Sequence, residues 1–466
     1  LFSQAAVRAL PLAPARTAAY PAPAADSRIA DDYGGVYADD KLAAWLTDLG
    51  QRLAAKTGRP DLRFTFAVLD SSAVNAFSTR EGSIFVTRGL LALGDSDAEI
   101  AGVLGHEIGH VVAGDRARRT APSRGDGFLN LLAGLADWSG FRRGLADRAA
   151  QFSQDQEYEA DAYAIRIVAE AGYDPRALAA FLGALDRAAA IDMALSGAFG
   201  DRHPLTADRL ARVQRLADRY PSVRRGGHDG YFRAVDGMIY GDSPEQGYVR
   251  GRVFIHPRAG FLFEIPPGFS IRNAPSTLVG SRADGAAFIL TSGVPGAAAT
   301  PYDYLTDVWM AGRGVSAAAP VDVNGHPAAI ATVRLPGWAG DAGADDAGAG
   351  EARIAAVGWS PSLVYRWISV GPTGNPSDAA SVLSAILSGF RSVTAQDRAR
   401  LRPYRLRVLT AKSGDTVASL ARRMAAPDDR AASYEVAEDP GRRLRVLNGW
   451  PPDIRIRPGQ PYKVVE

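Results

Sequence analysis

The sequence predicts a multidomain fold: a mainly helical α+β domain with a small sheet, then a strand-rich α+β domain, then a small basic module. Three observations lead there. The chain has 466 residues, too many for one ordinary core. Its apolar pattern changes from helical spacing to strict alternation near residue 250. Polar seams rich in Gly or Pro fall at 226–251 and at about 394–403. The expected divisions are an arm at 1–30, the helical domain at 31–230, the strand-rich domain at 250–395 and the module at 401–466.

Composition narrows the chemistry. With 47% hydrophobic and 22% charged residues the chain reads as folded rather than disordered. A net charge of +2 gives no global reason to expect a nucleic-acid partner. There is no cysteine, which excludes thiol catalysis, thiolate metal sites and disulfides together. Any zinc must then be held by His and carboxylates. No run reaches the roughly 18–20 apolar residues that cross a bilayer. The nearest candidate, 128–141, contains Asp137 and suits contact with a membrane surface or a lid over a cleft. Residues 1–26 are rich in Ala and Pro and read as the tail of a targeting segment or a flexible arm.

In the first domain, residues 63–69 alternate as a strand through Phe64, Phe66 and Val68. Further strands are expected at 74–78 and 83–86, with Arg80-Glu81-Gly82 turning between them. Ser96 followed by Glu99 is a helix-start signal. Ile100, Val103, Leu104, Ile108 and Val111 then recur at helical spacing until Gly114. A second long helix is expected at 145–171, and others at 175–189 and 206–219.

The first of these helices carries His106-Glu107-Ile108-Gly109-His110. Residues four apart share a helix face, so both imidazoles can take two corners of one zinc tetrahedron. Glu107 lies beside that face, placed as a general base. Gly102, Gly105 and Gly109 each cost the helix about 1 kcal/mol, which is tolerable where another backbone must come close. A third ligand is needed, and Glu157 on the second helix supplies it. Glu159 points elsewhere on the wheel, while Asp161 lies one turn beyond Glu157 and is placed to hydrogen-bond a ligating imidazole. One Zn2+ per chain is expected.

These motifs resemble the gluzincin metallopeptidases that include the CAAX prenyl proteases and the HtpX-type proteases, metallopeptidase family forty-eight. The resemblance covers roughly 35–220 and rests on Asn75-Ala76-Phe77, on 106–110, on 157–161 and on His203-Pro204 followed by Arg209. It implies a zincin-type fold, ligation by His106, His110 and Glu157, catalysis by Glu107 and support from Asp161. It places His203 near the metal, either steadying an oxyanion or filling the fourth position. Arg209 would contact the cleft or an acidic partner, or form a purely structural salt bridge. The strand from Asn75 to Ser78 would run beside the cleft as an edge that pairs with an extended substrate, with Asn75, Ala76 and Phe77 as its substrate-binding residues. The segment between the two metal helices is short and carries Arg116, Arg118, Arg119 and Asp126, so the resemblance is to the soluble, extracytoplasmic bacterial branch.

Downstream, residues 256–395 alternate around Phe261, Phe263 and Ile265, with turns at Pro266-Pro267-Gly268 and Asn324-Gly325 and a closing helix bearing Leu383, Ile386, Leu387 and Phe390. The pattern resembles a PsbP-like domain. Residues 404–466 resemble a βααβ LysM module through Ser413-Gly414-Asp415-Thr416-Val417, Leu447-Asn448-Gly449 and Pro458-Gly459-Gln460. That resemblance implies peptidoglycan binding, although the connection at 426–440 is longer than usual. The expected activity is endopeptidase cleavage of unfolded envelope proteins in the periplasm or another extracytoplasmic space. A latent or non-proteolytic envelope chaperone, or a dedicated processing protease, is the alternative.

Overall fold

A computed structural model describes residues 29–31, 33–114, 153–189, 206–221, 228–335, 350–372, 375–424 and 440–466, with the short pieces 118–119 and 150–151 and the single residues Leu12 and His203. The segment 128–141, most of the arm at 1–30 and the connection at 426–439 lie outside the described residues.

The first domain opens with helix α1 (Asp40–Ala54), whose buried face of Leu42, Leu46, Leu49 and Leu53 packs on a three-stranded sheet. Strand β1 (Thr65–Leu69) runs parallel to β3 (Ser83–Thr87), and β2 (Ala76–Ser78) runs antiparallel along the other side of β3. The order β1-β3-β2 leaves β2 at the edge. The turn from β2 to β3 closes on Gly82 at φ +89°, where glycine avoids the left-handed penalty.

Helix α2 (Arg88–Leu93) leads into α3 (Asp97–Ala113), the helix of the two histidines. Ser96 caps α3 by accepting from the Glu99 amide, and Gly114 ends it at φ +70°. Glu99 does not complete a capping box; its Oε2 accepts instead from the Asp95 amide at 2.7 Å. The next long helix, α4 (Gln154–Glu170), begins nine residues later than the apolar spacing predicts. Its start is set by a capping box between Ser153 and Gln156. Residues 150–151 instead pair with 118–119 as a short antiparallel ladder. Helices α5 (Arg176–Ala189), α6 (Ala207–Ala217) and α7 (His228–Val235) complete the domain.

The glycines of α3 face other helices at close range. A Cβ on Gly105 would lie 3.2 Å from the Ala164 Cα, one on Gly109 3.0 Å from the Ala160 Cα, and one on Gly102 3.0 Å from the Leu178 Cβ. Small residues on both sides bring α3 and α4 nearly into backbone contact, as the helix-weakening glycines led one to expect.

The second region holds a seven-stranded antiparallel sheet. Three of its strands matter below: those at Ser270–Ala274, Thr277–Ser281 and Leu363–Val370. Alternate residues supply two cores, so Tyr365 and Trp367 face one and Val364 and Ile368 the other. The helix Pro376–Gly389 covers the first core with Leu383 and Ile386 buried, and Phe390 follows it. Asn324 and Gly325 both have positive φ, the backbone of a two-residue hairpin turn.

The C-terminal region runs strand, helix, helix, strand: Leu406–Thr410, Val417–Ala421, Pro440–Leu447 and Pro461–Val465, the two strands pairing antiparallel. It shares the core of the first domain. Leu406, Leu447 and Val465 belong to the same apolar cluster as α3, and the Leu406 amide donates to Met238 O at 2.8 Å. Lys463 is fully buried and its Nζ donates to Ala92 O at 2.9 Å, to Tyr231 Oη at 3.0 Å and to Gly94 O. Those carbonyls belong to the end of α2, just before α3. No described helix is long and apolar enough to cross a membrane.

Burial pushes the Lys463 ammonium down to about 8. Between that value and the ordinary lysine range near 10.4, the unfolded chain binds a proton that the folded chain lacks, so stability rises with pH there. Lys463→Met should lower the urea midpoint at pH 7 by removing the donor to the Ala92 carbonyl and to the Tyr231 hydroxyl, a cost of about 1–3 kcal/mol. The stability gap between wild type and variant should widen from pH 8 to 10 in parallel urea titrations.

Candidate metal centre

Helix α3 presents His106 and His110 on one face, and α4 presents Glu157 opposite them. The His106 and His110 Nε2 atoms lie 3.1 Å apart. Glu157 Oε2 is 3.6 Å from His106 Nε2, and Glu157 Oε1 is 3.4 Å from His110 Nε2. His203 enters the same cluster: its Nδ1 is 3.2 Å from His106 Nε2 and 2.8 Å from Glu157 Oε1. One ligand atom from each of these four residues lies within 4.8 Å of the others, and all four residues are buried.

The donor set tests the fit to a metal. A tetrahedral zinc with bonds of 2.0–2.1 Å requires ligand atoms about 3.3 Å apart. The separations in the cluster scatter around that value. Imidazole and carboxylate are also the ligands left to a chain without cysteine. The residues therefore fit zinc.

The surroundings orient the ligands. His106 Nδ1 lies 2.9 Å from Asp161 Oδ1, which commits Nε2 to the centre. Arg209, from α6, grips Asp161 through two bonds, Nε to Oδ2 at 2.8 Å and Nη2 to Oδ1 at 2.9 Å. Its Nη1 contacts Glu157 Oε2 and donates to His203 O at 3.3 Å. Thr206 caps α6 and so fixes where Arg209 begins. Burial opposes charge on Asp161, but its bonds to His106 and Arg209 outweigh that and hold the carboxyl below the usual range. Burial likewise opposes charge on Glu157, yet the facing His203 and His106 hold it well below the ordinary carboxylate range. Burial pushes the His203 imidazole down.

Glu107 is buried beside the cluster. Its Oε1 faces His203 Nε2 at 3.4 Å, and its Oε2 accepts from Ser78 Oγ at 3.0 Å. The sequence placed Ser78 at the end of the edge strand beside the cleft but gave it no part in holding Glu107. The available signal was its alternation with Ala76 on an edge strand that precedes the metal helix.

Asn75, Ala76 and Phe77 have buried side chains. Asn75 Nδ2 donates to Tyr33 Oη at 3.1 Å, and Phe77 packs between the rings of Tyr33 and Phe85. Their side chains hold the strand in place against Tyr33 and Phe85.

Residues 40–217 match the model of peptidase family M48. The chain carries an M48 peptidase domain. Among curated proteins it is similar to the beta-barrel assembly-enhancing protease of Escherichia coli (strain K12), at 28% identity over 41% of this chain and 42% of that protein. The mitochondrial metalloendopeptidase OMA1 of Schizosaccharomyces pombe is 30% identical over 35% of this chain and 50% of its own length. The metalloprotease LoiP of Escherichia coli (strain K12) is 28% identical over 38% of this chain and 71% of its own. The chain thus matches less than half the length of the first of these relatives.

Replacing Arg209 by leucine should leave the Asp161 and Glu157 carboxylates buried without their guanidinium. A loss of about 3–5 kcal/mol is expected, measured by urea unfolding of the metal-free protein. Zinc affinity, read by chelator competition, should also fall, by roughly 10–100-fold.

Proposed function

We propose that this chain is a zinc-dependent endopeptidase that cleaves polypeptides of the bacterial cell envelope, probing substrates outside the cytoplasm. The observation that carries the reading is the convergence of His106, His110 and Glu157 with Glu107 beside them, all buried. Zinc bound by this set supplies Lewis acidity for attack of water on a peptide carbonyl. Glu107 accepts the proton of the attacking water and passes it to the leaving amine nitrogen. Ser78 holds one carboxylate oxygen of Glu107, leaving the other toward His203. An extended substrate adds to the edge strand β2, and its backbone, rather than its sequence, provides most of the affinity. That suits unfolded chains. The relative named for β-barrel assembly supports an envelope-protein substrate, and the one named a metalloendopeptidase supports the reaction.

A second reading is favoured by two distances. With Nδ1 2.8 Å from Glu157 Oε1 and 3.2 Å from His106 Nε2, His203 stands where a fourth ligand would close the site. In this reading the resting enzyme is latent and His203 must move before substrate enters.

The downstream regions give the enzyme its setting. Residues 250–395 form a PsbP-like accessory domain, and 404–466 a LysM-like module that binds peptidoglycan. The strand-helix-helix-strand order and the exposed loops at Lys412–Gly414 and 451–453 support the module assignment. Because Leu406, Leu447 and Val465 lie in the peptidase core, wall binding would hold the active site at a fixed distance from glycan.

Unfolded outer-membrane protein or casein is the test substrate. Glu107→Gln should keep about one zinc per chain and lose cleavage by roughly 10²–10⁴-fold. Retained cleavage would remove Glu107 from the mechanism. His203→Ala should raise the rate if His203 masks the site and lower it if His203 steadies the oxyanion. Co-sedimentation with purified sacculi should retain the wild-type chain and fail after removal of surface charge by Lys412→Glu together with Arg455→Glu.

A further inference from the structure

Leu12 is the one described residue of the arm before Ile29, and it is buried at 1% exposure inside the second domain. Its side chain belongs to the apolar cluster that contains Phe261, Phe263 and Tyr365. Its backbone is met on both sides. The Leu12 amide donates to Pro275 O at 3.0 Å, in the turn between the strands at Ser270–Ala274 and Thr277–Ser281. The Leu12 carbonyl accepts from Tyr365 Oη at 3.1 Å.

We propose that the second domain carries a peptide-binding site for a segment with a leucine-sized apolar side chain, occupied here by the chain's own Leu12. Three features make this a site rather than ordinary packing. The ligand residue comes from a segment remote in sequence, 353 positions from Tyr365. Both of its backbone polar groups are satisfied, the amide by a main-chain carbonyl and the carbonyl by a side-chain hydroxyl. Tyr365 has its ring buried among Phe261, Trp359 and Phe390, and its phenol needs a partner that Leu12 provides. Pro11 and Pro14 flank Leu12 in sequence. Proline reduces the conformational freedom an unbound segment loses on docking. The site is far from the metal cluster in sequence and shares no residue with it, so it stands or falls independently of the protease reading.

The experiment uses the full chain and a fluorescent peptide with the sequence of residues 7–17. Leu12→Asp should empty the site. The folded variant should then bind the peptide saturably in fluorescence anisotropy, and at least ~10-fold more tightly than wild type, whose own arm competes. A peptide with Asp at the position of Leu12 should not bind. Adding Tyr365→Phe to the variant should weaken binding by ~5-fold through loss of one hydrogen bond. Absence of peptide binding to a folded Leu12→Asp chain overturns the proposal. Should that variant fail to fold, L12C decides, because the chain has no other cysteine. Maleimide labelling of its thiol much slower than in the denatured chain supports the site, and labelling as fast as in the denatured chain overturns it.

Discussion

The near-contact of α3 with α4 is the constraint on which the rest depends. Two imidazoles and a carboxylate can share one ion only if their helices approach within a few ångström of backbone contact. Gly105 and Gly109 face Ala164 and Ala160, and a Cβ on either glycine would lie only 3.2 or 3.0 Å from the facing Cα, so a larger residue would push the helices apart. The cost in helix propensity is offset by packing, which supplies most of the stability of helices in folded proteins. Once the helices are this close, the side chains of His106, His110 and Glu157 have little room to point anywhere but at one another.

Such a cluster is unfavourable unless its charges are balanced. Arg209 provides that balance from a third helix, contacting both Asp161 and Glu157 and holding the His203 carbonyl. It therefore holds three residues of the centre with one planar group, a role to which guanidinium is better suited than ammonium. A buried network of this kind is costly when incomplete and rigid when complete. That rigidity is what a site needs if its ligands are to be in place before the metal arrives.

The C-terminal region extends the same logic. Its last strand sends Lys463 through the core to the carbonyls at the end of α2, one turn of chain before the metal helix. The region is thus part of the scaffold that sets where α3 begins, although the sequence presents it as a separate module beyond a polar seam. Arg88 does similar work on the other side, bonding Asp70 at 2.6 Å and the carbonyls of Ile239 and Gly241 at 2.8 Å.

By itself the sequence determined the helical and strand periods, the positions of His106, Glu107, His110, Glu157 and Asp161, and the chemistry those residue types can perform. These are legible because helix periodicity maps spacing directly onto a face, and because a ligand set without cysteine has few members. Only the tertiary structure decided that Arg209 closes the network, that Ser78 holds Glu107, that the side chains of Asn75 and Phe77 are buried, and that Leu12 and Lys463 lie in cores far from their place in the chain. The start of α4 also escaped, since a local capping box at Ser153 overrode an apolar pattern that continued past it. The physical reason is common to all of these: periodicity reports contacts between near neighbours, whereas a contact between distant residues depends on how whole elements pack.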